Sequence, residues 1–367
     1  MMVSGKKDFA QIQKSLSVFP FSLVLRGASF LYSIVIKARR GGYRLGVITQ
    51  RQLPGFVVSV GNIAVGGTGK TPMVLLLAQW ARAKGYNACV LSRGYGGNFR
   101  GKVLEVSDGD QIKVSWKECG DEPYLIAKRS SGVPVVVSKK RYLGGIYAAK
   151  KFGSNFFILD DGFQHLALKR NFDIVLLDAS KPFGNGRLLP WGLLREPKES
   201  IGRAHALVLT RFSNNQTCKK AEEEIARKFP QKPLFMSIHR PHKLIFPTSQ
   251  TIFEPSYISR KKVAAFAGIG NPSSFENTLA SLGARLVQFN HFPDHHLYLG
   301  DELKALTKEA KALGAEMLLT TEKDWIRVGS DFKAEVPLGY LVIVIEIKRE
   351  KLFFDLIERF IHRAYGI

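Results

Sequence analysis

The chain has 367 residues, enough for two ordinary domains, and its 45% apolar and 23% charged content excludes a disordered or fibrous protein. Its 54 basic against 31 acidic residues leave a net charge of +23, so its expected partners are polyanions: nucleic acid, an anionic membrane or a phosphorylated substrate. The cysteines Cys89, Cys119 and Cys218 are few and unpatterned, which excludes a disulfide scaffold or zinc site and fits a reducing cytoplasm.

The run from Phe19 to Ile36 is barely long enough to span a bilayer and carries Pro20, Arg26 and Gly27. Ser22, Arg26, Ser29, Ser33, Lys37 and Arg40 recur at intervals of three and four, which places them on one helical face. Phe21, Leu23, Val24, Leu25, Phe30, Leu31, Ile34, Val35 and Ile36 fill the other. That pattern predicts an amphipathic helix lying in the interface of an anionic bilayer. The competing reading is a helix packed on its own domain. No small-residue cleavage site follows; Lys37, Arg39 and Arg40 come instead, which argues against a secretory signal.

Next, Val57-Val58-Ser59-Val60 reads as a buried strand, and Met73 to Trp80 as an apolar helix. Between them lies Gly61-Asn62-Ile63-Ala64-Val65-Gly66-Gly67-Thr68-Gly69-Lys70-Thr71-Pro72. Glycines there let backbone N–H groups approach phosphate oxygens, and the helix N-terminus adds its positive dipole end. Lys70 would reach the β- and γ-phosphates, with the Thr71 hydroxyl on Mg²⁺. Ala64 stands where the usual phosphate loop has glycine, and the pair Gly66-Gly67 is added.

Further strands are expected at 88–92, 133–137, 156–159, 173–178 and 206–210, alternating with helical stretches such as 141–152, while 98–115 reads as polar and turn-rich. Such alternation points to a parallel, doubly wound sheet. Asp160-Asp161 closes one strand, where a nucleotidase places its Mg²⁺-side carboxylates; a turn with a helix cap is the plainer reading. Asp121-Glu122-Pro123 opens a helix, so one carboxylate could act as general base while the other orients metal, or Asp121 could be an ordinary N-cap. Arg187 and Arg195 lie in a Pro- and Gly-rich stretch, as phosphate clamps or as surface ion pairs.

Pro241, Pro247 and Pro255 mark an extended linker over 236–258. A second βα rhythm follows from 259, with a final helix over 353–364. In it, His291-Phe292-Pro293-Asp294-His295-His296 offers either a metal site of no standard spacing or a histidine that aligns a carboxylate base. Thr321-Glu322-Lys323-Asp324 is like a guanine-reading motif, but Lys323 adjoins Asp324 instead of preceding it by two.

Seven segments stand in order: the loop Gly61–Pro72, Ser92-Arg93-Gly94-Tyr95-Gly96-Gly97, Gly120-Asp121-Glu122-Pro123, Leu159-Asp160-Asp161-Gly162-Phe163-Gln164-His165, Gly186–Pro190 with Leu194–Pro197, Phe292–His296 and Thr321–Asp324. Together they closely resemble the tetraacyldisaccharide 4′-kinase family, the lipid A 4′-kinases of Gram-negative bacteria, over roughly residues 15–350. The resemblance implies transfer of the γ-phosphate of ATP, with Mg²⁺, to the 4′-hydroxyl of a tetraacyldisaccharide 1-phosphate at the cytoplasmic face of the inner membrane. It puts the phosphate loop at Gly66, Gly67, Thr68, Gly69, Lys70 and Thr71. Asp121 matches the family's catalytic aspartate, beside Glu122, and His295 matches its partner histidine better than His291 does. Asp160 and Asp161 match the Mg²⁺-side carboxylates; Asn62, Arg93, Tyr95, Arg141, Gln164 and Arg195 match positions near substrate and nucleotide. Trp191 departs from the family pattern, where a smaller residue is expected.

The expected fold is therefore α/β: a P-loop NTPase-like parallel sheet domain over 41–235, a smaller α/β domain over 259–367 that includes the C-terminal helix, and an N-terminal amphipathic membrane helix within 1–40. The expected partners are the glycolipid and an anionic membrane surface, with no nucleic acid and no obligate protein partner. The rival readings are a P-loop ligase or GTPase-like switch that ignores lipid, and a nucleic-acid binder, for which the chain lacks aromatics interleaved with basic residues.

Overall fold

The computed structural model describes residues 21–329 and 332–366, so Phe19 and Pro20 of the expected N-terminal segment lie outside it. Helix α1 (Phe21–Arg44) precedes strand β1 (Phe56–Asn62). Every residue of β1 is buried, as are those of β5 (Phe156–Asp160), because helices cover both faces of the sheet. That explains why these strands read as unbroken apolar runs instead of alternating. Helix α2 (Lys70–Ala83) leaves β1 through the glycine-rich loop and buries Met73, Val74, Leu77 and Ala78 against the sheet.

The remaining strands are β2 (Ala88–Ser92), β3 (Leu104–Ser107), β4 (Val135–Val137), β6 (Phe172–Asp178), β7 (Ala206–Thr210), β8 (Leu234–Phe246), β9 (Thr251–Phe253), β10 (Lys262–Ala267), β11 (Arg285–His291), β12 (Met317–Thr321) and β13 (Leu338–Ile347). They form one sheet in the order β11-β10-β12-β13-β8-β7-β6-β1-β5-β2-β4-β3, with β9 paired to β8. β1 lies between β5 and β6, parallel to both, so the carboxyl ends of these strands open at one edge. The expected parallel α/β sheet is what the chain builds.

The organisation around it departs from expectation in three places. Residues 236–258 are strand for much of their length: β8 pairs in parallel with β7 over Leu234–Met236, then antiparallel with β13 over Ser237–Ile245. Pro241 fits because the pairing of β8 shifts register beside it, while Pro247 and Pro255 lie beyond the strand's end. The polar stretch 98–115 contains β3, an antiparallel edge strand. The final helix α3 (Glu350–Tyr365), expected with the smaller lobe, returns to the first lobe. Phe353, Phe354, Ile357 and Ile361 join the core formed by β1 and α2, and Phe354 stacks on Trp80 at 4.8 Å. β8 and the β13–α3 segment thus tie the two lobes together twice.

Phe353 is fully buried in that shared core. Phe353→Ala should therefore lower the unfolding free energy by about 3–5 kcal/mol in denaturant titration. A loss under about 1 kcal/mol would show that the helix is peripheral to the P-loop lobe.

Candidate active site

The phosphate loop is shaped by its glycines and braced from below. Gly69 has φ of 84°, and a Cβ there would come within 2.6 Å of His239 Nε2 from β8, so both backbone and space demand glycine. Burial, and then the Arg211 guanidinium, push the His239 imidazole down to about 3, so it is neutral under the loop. Sequence reading missed this residue, because nothing local marks a histidine in a strand as facing the loop. Asn62, expected near substrate, is fully buried at the end of β1: its Nδ2 donates to Thr68 Oγ1 at 2.9 Å, and its carbonyl accepts from Gln164 Nε2 at 2.8 Å. It is a brace for the loop and not a wall of the cleft. Gly66 to Thr71 do line the cleft.

The two adjacent aspartates at the end of β5 have opposite electrostatics. Asp161, held at φ of 50°, accepts from Arg195 Nη1 at 2.8 Å and lies 3.7 Å from Lys70 Nζ. Burial alone would raise its pKa, but Lys70 and Arg195 hold it below the usual carboxylate range. Asp160 accepts from Ser92 Oγ at 2.8 Å through one oxygen, while its buried Oδ1 has no partner. Burial, then Glu122 and Asp161, push its carboxyl up to about 6. Arg141 is buried beside it and donates from Nη2 to the Asp160 carbonyl at 3.2 Å, not to its carboxylate.

An orphaned buried carboxylate oxygen facing further acids fits a divalent cation. Asp160, Glu122 and the Thr71 hydroxyl would hold Mg²⁺; Asp161, expected in the same role, already faces two side-chain cations. Among the described residues no group of three or more His, Cys, Asp or Glu side chains forms a cage. Magnesium bound through one or two carboxylates plus substrate phosphates needs none.

Asp121 opens a helix (Asp121–Arg129) whose N-cap is Gly120, so the simple capping reading of Asp121 does not hold. Its Oδ1 accepts from the Glu122 N–H at 2.9 Å. Its Oδ2 faces the other lobe: His295 Nδ1 at 3.0 Å, Arg327 Nη1 at 3.3 Å and Lys323 Nζ at 3.9 Å. Burial would raise this carboxyl, yet the His295 hydrogen bond and the charges of Lys323 and Arg327 hold it below its ordinary range. Lys323 also reaches Glu122 at 3.1 Å and Asp294 at 3.4 Å. Sequence reading noted the Thr321–Asp324 tetrad but assigned Lys323 no partner and passed over Arg327. The tetrad begins at the end of β12, where the Thr321 side chain accepts from the Asp324 N–H at 3.1 Å and starts a short helix (Glu322–Val328) aimed at Asp121.

The histidine cluster does not converge. His291 pairs with Glu276 at 3.3 Å, His296 with Glu302 at 2.7 Å, and only His295 reaches Asp121. The metal-site reading of that cluster is overturned. The Tyr95 ring lies 5.3 Å from that of His295. Arg93, Tyr95, Arg141, Gln164 and Arg195 line the same cleft as the phosphate loop, a cavity of about 1290 Å³ between the lobes.

Helix α1 borders this cleft with Tyr32, Ile36 and Arg39. Its polar face, not its apolar one, holds it to the protein: Ser29 Oγ donates to the Leu188 carbonyl at 3.1 Å, the Tyr32 hydroxyl to the Arg195 carbonyl at 3.0 Å, and Arg40 to Ser200 Oγ at 2.7 Å. Trp191 has a local function after all, since its ring takes Arg187 at 3.9 Å and α1's Arg26 at 4.9 Å. Leu23, Val24, Phe30, Leu31, Ile34 and Val35 point outward, 46–69% exposed. Among the described residues no helix is long and apolar enough to cross a membrane.

Residues 21–362 match the family model described as Tetraacyldisaccharide-1-P 4'-kinase. A tetraacyldisaccharide 4'-kinase of Syntrophus aciditrophicus is 41% identical over 346 residues, covering 92% of each chain. One from Desulfotalea psychrophila is 41% identical over 317 residues, covering 84% of this chain and 88% of its own. The crystal structure of LpxK from Aquifex aeolicus in complex with ATP superposes with a TM-score of 0.73 at 35% identity, covering 93% of this chain and 99% of that one. Matched over nearly its full described length by model, sequence and fold, the chain belongs to the tetraacyldisaccharide-1-P 4'-kinase family.

Proposed function

We propose that this chain transfers the γ-phosphate of ATP to the 4′-hydroxyl of a tetraacyldisaccharide 1-phosphate, with Asp121 as base. The observation that carries the base assignment is the Asp121 carboxylate itself: buried, held ionised, and hydrogen-bonded at 3.0 Å to His295, which lines the same cleft as Lys70. The acceptor hydroxyl gives its proton to Asp121 as its oxygen bonds to the γ-phosphorus. The bond to the β–γ bridging oxygen breaks, and ADP leaves with that electron pair. His295 holds the carboxylate in line. The phosphate loop binds the donor through its N–H groups and Lys70, and Arg195, fixed on Asp161, presents its remaining donors to phosphate. Bound at Asp160, Glu122 and Thr71, Mg²⁺ would neutralise charge on the β- and γ-phosphate oxygens.

The outward apolar face of α1 supports a site at the cytoplasmic surface of the inner membrane. A helix fastened to its own protein through Ser29, Tyr32 and Arg40 leaves its exposed leucines and phenylalanine for another apolar phase, and the acyl chains of the acceptor occupy one. The net charge of +23 adds attraction to anionic headgroups.

Asp121→Asn keeps the shape but removes the base, so kcat should fall by roughly 10²–10⁴-fold with little change in KM for ATP. Retention of most activity in a mass assay of the phosphorylated lipid would exclude Asp121 as base. Asp160→Asn should lose activity and yet stabilise the metal-free protein at neutral pH, because it removes a buried carboxylate that lacks a cation. Since the folded state raises the Asp160 pKa to about 6, wild type loses this stability as pH rises through that value. The gap between variant and wild type in thermal melts should be widest above it and close toward pH 4. Replacing both Leu31 and Val35 by glutamate should weaken binding to phosphatidylglycerol vesicles at least about tenfold with an unchanged circular dichroism spectrum. Undiminished vesicle sedimentation would rule out this face as the membrane contact.

A further inference from the structure

One buried cation beside the reacting centre stands behind the cleft instead of in it. The Arg327 side chain is 1% exposed and does not line the cleft, so direct contact with ATP or acceptor is not its task. It lies one turn beyond Lys323 on the short helix Glu322–Val328, and both side chains point at Asp121. Lys323 lines the cleft and divides its charge among Asp121, Glu122 and Asp294. Arg327 is committed differently. Its Nη2 pairs with Asp324, and its Nη1 faces Asp121 Oδ2 at 3.3 Å.

Asp324 anchors this guanidinium in the second lobe. It is fully buried, and its Oδ1 accepts from the Gly268 N–H at 3.1 Å and from the Tyr298 hydroxyl at 2.8 Å. Gly268 ends the same frame on its other side: its carbonyl accepts from Arg327 Nη2 at 2.8 Å and from the His295 N–H at 3.2 Å. A Cβ at Gly268 would come within 2.8 Å of the Tyr298 hydroxyl, so the frame closes only around glycine. Arg327 therefore touches both partners of the 3.0 Å hydrogen bond between Asp121 and His295. It meets the carboxylate of one directly and the backbone of the other through one shared carbonyl. A planar fork spans those two points; a lysine ammonium does not.

We propose that Arg327 is a positioning residue: it ties the Asp121 carboxylate to the Gly268–Asp324 frame that carries His295, and so fixes the two in one geometry. This rests on the reading of Asp121 as the acceptor-side base. His295 stands in a turn with φ of 61°, and a side chain on a turn is held only as well as the turn's backbone. Asp121 belongs to the other lobe, so a hydrogen bond from His295 alone would let the carboxylate shift whenever the lobes shift. Arg327 adds a second contact to the same oxygen from the frame that holds the His295 backbone. Precision of that order matters, because a misplacement of about 1 Å costs a reaction roughly 10²-fold.

The test measures kcat and KM of the full chain with Mg·ATP and the tetraacyldisaccharide 1-phosphate in mixed micelles. Arg327→Gln should lower kcat by about 30–100-fold while both KM values stay within about twofold, and Arg327→Lys should recover part of the loss. In an Asp121→Asn background there is no base to position, so the same Arg327→Gln change should cost less than about threefold. An equal loss in both backgrounds overturns the proposal and leaves Arg327 a purely structural residue. A rise in KM with unchanged kcat overturns it as well and assigns Arg327 to substrate binding. Arg327→Gln alone strands Asp324 as a buried, unpaired carboxylate, so the double variant Arg327→Gln, Asp324→Asn, which removes both charges, keeps the question decidable if the single variant does not fold. It should show the same fall in kcat, and wild-type kcat in it overturns the proposal. Wild-type turnover by Asp121→Asn alone would refute the base instead, a separate outcome read from that variant without any change at Arg327.

Discussion

A carboxylate stays ionised inside a protein only if cations or hydrogen-bond donors face it, and the side chains that face Asp121 among the described residues all come from the opposite lobe. His295, Lys323 and Arg327 all lie beyond the point where β8 carries the chain across, and the hydrogen bond from His295 spans 174 residues of sequence. The surroundings of Asp121 are therefore assembled by apposition of the lobes. Arg129 of the first lobe and Glu322 of the second add a further pair at 2.8 Å beside it. β8 and the returning C-terminal helix hold this apposition. Their burial in the P-loop lobe's core makes the second lobe part of the same packed frame instead of an appended module.

On the donor side, one adjacent pair of residues divides two tasks. Asp161 turns out of the strand into a left-handed conformation and meets Lys70 and Arg195, so its charge is satisfied within the protein. Asp160 remains in the strand, buried against Ser92, and its second oxygen finds no partner in the protein. Their chemistry is identical; the direction of the backbone separates them. Sites often keep an unfavourable charge where a ligand will later neutralise it, and local stability is the cost.

Helix α1 follows the reverse of the usual globular rule. Amphipathic helices of globular proteins bury the apolar stripe; here hydrogen bonds from Ser29, Tyr32 and Arg40 fasten the polar side, and the aliphatic side faces outward. That orientation brings Tyr32 and Ile36 to the rim of the cleft.

Much of this was legible in the linear chain. The β-branched run before Gly66 and the apolar helix after Thr71 announce a phosphate loop, because strand, loop and helix N-terminus are consecutive and their roles are set by local backbone geometry. The two faces of α1 are equally legible from a period of three and four. What the chain alone left open were choices between partners: whether Asp121 capped its helix, which histidine reached it, and which of Asp160 and Asp161 had cations facing it; Asn62, expected near substrate, braces the loop instead. Those choices depend on contacts between residues far apart in sequence, so neither periodicity nor motif spacing encodes them. The same holds for α1, where the sequence determined two faces and only the tertiary structure decided which one turns inward. Local hydrogen bonding and hydrophobic period specify elements; burial and charge pairing across the lobes specify what each side chain does.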